Sequence, residues 1–150
     1  MSPIYQPISP NAWPSAENLL RQAGLSTQIT PLRERGRAPG AGLMLWLPQA
    51  GFSSLGRQGV AAEKVAETAV AELLAFMDNG AEVDKRLADQ LLLPLALANG
   101  RSHFTTNELT LHTLTNANLL RHWLQVELEI EGELGSAAAI SVKGIAFKRE

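Results

Sequence analysis

Apolar residues recur along this chain at two periods, one helical and one alternating. Between 61 and 77 they stand at 65, 66, 69, 70, 73, 74 and 77. That recurrence predicts an amphipathic helix, and Asn79-Gly80 marks its end. Over 87–98 leucine and alanine are dense enough for a buried helix. Asp84 is its predicted cap, Asn99-Gly100 its close, and Pro94 a predicted kink or break. The run LMLWL at 43–47 predicts a buried strand. Residues 103–106 predict a short strand, and 113–123 a helix packed through Leu114, Leu119, Leu120 and Trp123. Val126, Leu128 and Ile130 then alternate with Glu127, Glu129 and Glu131, a strand with one face in water. After Gly132 and Gly135, residues 138–147 predict a last strand pairing back.

The first third is less regular. Prolines at 3, 7, 10 and 14 predict an extended lead-in. Ser15 is placed to cap a helix over 16–23 that Gly24 ends. Residues 25–32 predict a strand, 33–42 a loop and 52–59 a turn-rich link. Arg33, Arg35 and Arg37 in the first loop read either as a solvated turn or as a contact for phosphate or RNA backbone. The order is strand, two helices, strand, helix, strand, strand. It predicts an α+β fold, helices on one face of a mixed sheet.

Composition narrows the function classes. The 150 residues suffice for one ordinary domain, or one plus a fragment. A net charge of −2 removes any whole-chain basic excess for nucleic acid. Cysteine is absent, which excludes disulfides and thiolate metal sites and suits a reducing compartment. The first residues lack the basic and apolar regions of a signal peptide, and no apolar run reaches membrane-spanning length. A soluble cytoplasmic protein is the expectation.

Two polar islands flank the leucine block: Asp89-Gln90, and His112 with Thr115-Asn116. Asp89 and Gln90 read either as polar residues at a helix start, favourable to its dipole, or as part of a site. Neutral imidazole is a competent nucleophile, and a helix starting beside His112 presents free N–H groups to a phosphate. Thr115 and Asn116 either orient His112 or cap the helix that follows, and Thr110 has the same two roles open to it. His103 and His122 read as structural or solvent-exposed. Three scattered histidines make no metal site of recognisable spacing. The two islands are predicted to share one cavity.

LADQLLLPLALA, then a short strand, then HTLTN before a helix resembles the C-terminal part of the RNA 3'-terminal phosphate cyclases. GRQGVAAEKVAETAVAELLAF at 56–76 is similar to that family's preceding segment, and the matching order runs over about 43–128. The resemblance implies a fold of repeated units, each a four-stranded sheet on two helices, with an inserted thioredoxin-like domain. Residues 53–150 then look like the last repeat and 1–52 like the tail of the insert. It implies that His112 attacks the α-phosphate of ATP and carries AMP. The AMP passes to an RNA 3'-phosphate, which closes to a 2',3'-cyclic phosphate. Arg86, Leu87, Ala88, Asp89 and Gln90 become ATP-contact candidates, although members often carry a base-stacking aromatic residue where this chain has Arg86. A divalent metal, magnesium or manganese, is implied, with its ligands in an N-terminal part that finds no match here. The chain is therefore expected to be inactive on an RNA end without that part, whether it is a fragment, one half of a split enzyme with a separate N-terminal partner, or a degenerate copy. The alternatives are a non-catalytic RNA-binding or ribosome-assembly module of the same fold, and a plain interaction domain.

Overall fold

A computed structural model describes residues 12–32 and 42–148. The arginine loop and most of the proline-rich lead-in lie outside the described residues. The described chain contains α1 (Ala12–Gln22), β1 (Gly42–Leu47), β2 (Ala50–Leu55), α2 (Ala62–Asn79), α3 (Lys85–Leu97), β3 (Asn99–Thr106), α4 (Leu111–Leu124), β4 (Glu127–Glu131) and β5 (Ala138–Ile145). The α+β class holds. The chain forms two compact units, one of residues up to Leu47 with Gly51–Ala75, the other of Pro48–Ala50 with the chain from Phe76 onward.

In the first unit, α1 begins earlier than Ser15, at Ala12, and takes Pro14 into its first turn. Proline fits there because first-turn N–H groups have no intrahelical acceptor. Gly24, at φ +77°, closes the helix as expected, its N–H donating to the Arg21 carbonyl at 3.0 Å. No strand forms over 25–32. These residues have strand-like composition but no hydrogen-bonded neighbour strand, and strand formation depends on such packing. The turn-rich link expected at 52–59 is instead partly β2, hydrogen-bonded to β1 across the two-residue turn Pro48-Gln49. Along α2, Val65, Ala66, Ala69, Val70 and Leu73 are buried; its stripe ends on Phe76, with Met77 exposed.

The second unit is a three-stranded sheet, order β3-β5-β4, with α3 and α4 packed on one face. Both strand pairs are antiparallel; isolated parallel bridges join Val83 to Thr106 and Leu109 to Leu134. The expected pairing of 125–131 with 138–147 is present, with Ile130 opposite Ile140 and Leu128 opposite Val142. Phe104 on β3 also faces Ile140, so the central strand's inward residues are covered on both sides. From the helices, Ala88, Leu92 and Ala96 of α3 and Ala117 of α4 complete this core.

Asp84 caps α3, its carboxylate accepting from the N–H groups of Arg86 at 2.7 Å and Leu87 at 3.1 Å. Pro94 does not break α3, which runs on to Leu97. Asn99 and Gly100 do not close it either; they open β3, which is longer than expected. The last carbonyls of α3 are satisfied from beyond β5. Ala146 N–H donates to Ala98 at 2.9 Å and Phe147 N–H to Leu97 at 3.0 Å. Gly144 makes that approach possible. A Cβ there would overlap the Ala98 carbonyl and lie 2.6 Å from the Leu95 carbonyl oxygen, both rigid backbone. Gly144→Ala is therefore expected to cost about 1–3 kcal/mol or more, as overpacking does. Equilibrium urea unfolding checks this, and an unchanged midpoint would contradict it.

Candidate functional site

The direction of the helices places the site. Each of α3 and α4 joins β3 through a short reversal, so both run antiparallel to β3 and parallel to each other. Their N-terminal ends share one end of the sheet. Lys85, first in α3, pairs with Glu108 in the link before α4 at 2.6 Å and ties those ends together.

Thr110 caps α4, its Oγ1 accepting from the Thr113 N–H at 3.1 Å and lying 2.9 Å from the Thr113 hydroxyl. Thr113 itself is buried. The helix thus starts at Leu111, and His112 is its second residue rather than a residue before it. Thr115 and Asn116 sit inside the helix and cap nothing. Helix geometry leaves the first N–H groups of α4 without intrahelical acceptors, beside the exposed His112 imidazole.

Asp89 and Gln90 do not begin α3; they occupy its second turn, so the dipole reading of these residues fails. Asn116 Nδ2 donates to Asp89 Oδ1 at 2.6 Å, with both side chains partly buried. His112 stands four residues before Asn116, hence on the same face of α4. The structure therefore joins Asp89 and Asn116 across α3 and α4, with His112 one helical turn nearer the start of α4. Arg86, three residues before Asp89, is exposed on the same side of α3. Gln90 is exposed beside it, Leu87 packs against the core, and Ala88 is fully buried within it. Sequence reasoning missed the Asp89–Asn116 bond and the role of Thr113.

His103 lies elsewhere, on the open face of the sheet, with Nδ1 3.0 Å from the Ser141 hydroxyl. It shares a shallow cleft with Arg101, Glu127, Glu129 and Lys143. The Lys143 ammonium, 2.6 Å from Glu127, lowers that carboxyl's pKa through their hydrogen bond, which outweighs desolvation, with the fields of Lys143 and Arg101 adding to the lowering. This face is a charge-paired, solvated surface. Among the described residues no group of three or more His, Cys, Asp or Glu is placed to hold a metal ion. No helix among them is long and apolar enough to cross a membrane.

The profile of the RNA 3'-terminal phosphate cyclase family matches residues 7–130, a span that contains all of these groove residues. An RNA 3'-terminal phosphate cyclase of Trichormus variabilis is 49% identical over 109 residues, 70% of this chain and 31% of that protein. One from Methanosarcina barkeri is 39% identical over 121 residues, 81% of this chain and 36% of the relative. One from Pyrobaculum neutrophilum is 32% identical over 139 residues, 89% and 40% of the two chains. The chain spans about a third of the length of these relatives.

Proposed function

Because the chain belongs to the RNA 3'-terminal phosphate cyclase family, we propose that it is the nucleophile-bearing portion of such an enzyme. Residues 53–150 correspond in this reading to the last repeat of the cyclase fold, and 1–52 to the tail of its insert. The observation that carries the reading is the groove itself, where the Asp89–Asn116 hydrogen bond of 2.6 Å lies one helical turn from an exposed imidazole at a helix start.

In this mechanism a ring nitrogen of His112 attacks the α-phosphorus of ATP. A P–N bond forms, the bond to the bridging oxygen breaks, and pyrophosphate leaves. An oxygen of the RNA 3'-phosphate next attacks that phosphorus, breaking the P–N bond and freeing the imidazole. The adjacent 2'-hydroxyl then attacks the activated 3'-phosphorus, loses its proton to solvent and expels AMP, leaving a 2',3'-cyclic phosphate. The first N–H groups of α4 favour the phosphate beside the imidazole. Arg86 offers a guanidinium to a phosphate or to the face of the adenine. Asp89 is a positioning residue: it fixes Asn116, and through it the rotation of α4 that aims His112 into the groove. The described residues offer no fitting set of ligands for a divalent metal, and no step is assigned to one.

Phosphoryl chemistry of this kind needs charge stabilisation that one imidazole and one guanidinium do not supply. The chain alone is therefore expected to leave a 3'-phosphorylated oligonucleotide unchanged. With the rest of a cyclase supplied, ATP labelled at the α-phosphate is expected to leave AMP on this chain through an acid-labile, base-stable bond. Asp89→Ala should lower the rate of labelling about 10- to 100-fold without abolishing it, as misplacement of a reacting group does. Absence of label from a complex that still binds RNA would favour the non-catalytic RNA-binding module instead.

A further inference from the structure

Two side-chain bonds cross from α3 to the segment that carries His112. Lys85 Nζ lies 2.6 Å from Glu108 Oε2, and Asn116 Nδ2 donates to Asp89 Oδ1 at 2.6 Å. Lys85 and Asp89 are four residues apart, hence on one face of α3 and about 6 Å apart along its axis. Glu108 and Asn116 stand four residues before and four residues after His112. The segment bearing the imidazole is therefore fastened to one stripe of α3 at both of its ends, with His112 midway between them.

Apolar packing fixes α4 in one direction only. Thr113 and Ala117, both buried, seat the helix on the sheet. That contact sets its height above the strands. It does not set the spacing of the first turn from α3, where the residues are Leu111, 67% exposed, and the exposed His112. The link before that turn is held by the β4–β5 turn, with Leu109 N–H donating to the Ser136 carbonyl at 2.7 Å and Gly135 N–H to the Leu109 carbonyl at 2.9 Å. Glu108, one residue earlier, is where the link is held to α3. The side chains of Lys85 and Glu108 are 31% and 37% exposed, and partly buried pairs are screened by salt much less than pairs in open solvent.

We propose that the Lys85–Glu108 ion pair is a positioning clamp, which holds the first turn of α4 in register with α3 and so sets where the His112 imidazole stands. Its effect on AMP transfer rests on the cyclase reading above; its hold on α4 does not. The Asp89–Asn116 bond fixes the segment behind the imidazole, and the ion pair fixes it in front. Without the front bond the first turn swings on the rear one. A displacement of about 1 Å in a reacting group costs on the order of 100-fold in rate. Nucleotide affinity, in which the paired ammonium takes no part, is spared.

The test reads the full chain alone and then with the rest of a cyclase, meaning the portion of the Trichormus variabilis protein outside its 109 matched residues. In the chain alone, hydrogen exchange at the Thr113 and Leu114 amides should quicken about tenfold in Lys85→Met and in Glu108→Gln, as local opening does when a charged hydrogen bond is lost. The exchanged pair, Lys85→Glu with Glu108→Lys, should return both amides toward the original rate. Glutamate suits the first position of α3, so this variant tests the pair and not the helix. With the rest of a cyclase and ATP labelled at the α-phosphate, each single variant should lower the labelling rate at saturating ATP about 10- to 100-fold. The ATP concentration giving half the maximal rate should stay within about twofold, and the exchanged pair should recover most of the lost rate. Lys143→Met breaks an equally short ion pair on the open face of the sheet, 2.6 Å to Glu127, and should change neither measurement. Unaltered exchange in both single variants overturns the clamp, as does an exchanged pair no better than the single variants. A loss seen only as a raised ATP requirement in Lys85→Met, with Glu108→Gln normal, also overturns it, because the ammonium then binds phosphate directly. If the unsubstituted chain takes no AMP, the cyclase reading fails, and the exchange rates still decide whether the clamp exists.

Discussion

Replacing His112 with alanine is expected to abolish AMP transfer to this chain while leaving its fold untouched. The imidazole is exposed at the second position of α4, outside the core formed by Ala88, Leu92, Phe104, Ala117 and Ile140. The α4 cap comes from Thr110 and its packing from Ala117, Leu120 and Leu124, none of which the substitution removes. Alanine is also the best helix former, so stability should move by no more than about 0.5 kcal/mol. Labelling should nonetheless fall below detection, because a covalent intermediate has no substitute when its nucleophile is deleted. Asparagine or glutamine at 112 restores polarity but no nucleophile and should be equally inactive. Label retained by His112→Ala would show that another group is modified.

The largest expected loss of stability comes from Ile140→Ala. Ile140 is fully buried at the centre of β5, between Phe104 on one neighbouring strand and Ile130 on the other. Truncation there removes three carbons from a site walled by strands on both sides, so little can collapse into the space. Such changes cost about 2–5 kcal/mol, a large part of the roughly 5–15 kcal/mol that holds a domain together. The melting temperature should fall by about 4–8 °C for each kcal/mol lost, as in small domains. Differential scanning calorimetry reads this directly. A fall of only a degree or two would mean that β5 is not the centre of the core.

These sites differ in how far the sequence announces them. The β4 strand is legible because Val126, Leu128 and Ile130 alternate strictly with glutamates, and period two has one physical reading. Strand β2 is not, because Gly51, Ser53 and Ser54 dilute its pattern and its partner β1 decides its fate. The stretch 25–32 shows the converse, strand-like residues that find no partner strand among the described residues. Pro94 looks like a stop, yet α3 runs on to Leu97, because Pro94 and Gln90, whose carbonyl loses the Pro94 N–H, both lie on the exposed side of the helix where water can replace that bond. On α4, hydrophobicity points to Leu119 and Trp123 as the packed face, whereas the small residues Thr113 and Ala117 are the ones at the sheet. Close approach selects small side chains, and no apolar scale contains that. The Asp89–Asn116 bond spans 27 residues; local pattern cannot report a contact made by two helices meeting in space. The histidine, by contrast, stands out in the sequence through its motif, and the structure adds its neighbours in the groove.

The most direct test of the central claim is to locate the nucleotide. Trypsin cleaves after Arg101 and Arg121, releasing a peptide that holds both His103 and His112. After reaction with ATP in the presence of the remaining cyclase portion, fragmentation of that peptide by electron transfer should place AMP on His112 and leave His103 bare. AMP on His103, on His122, or on the other portion alone would contradict the assignment of the nucleophile to this groove.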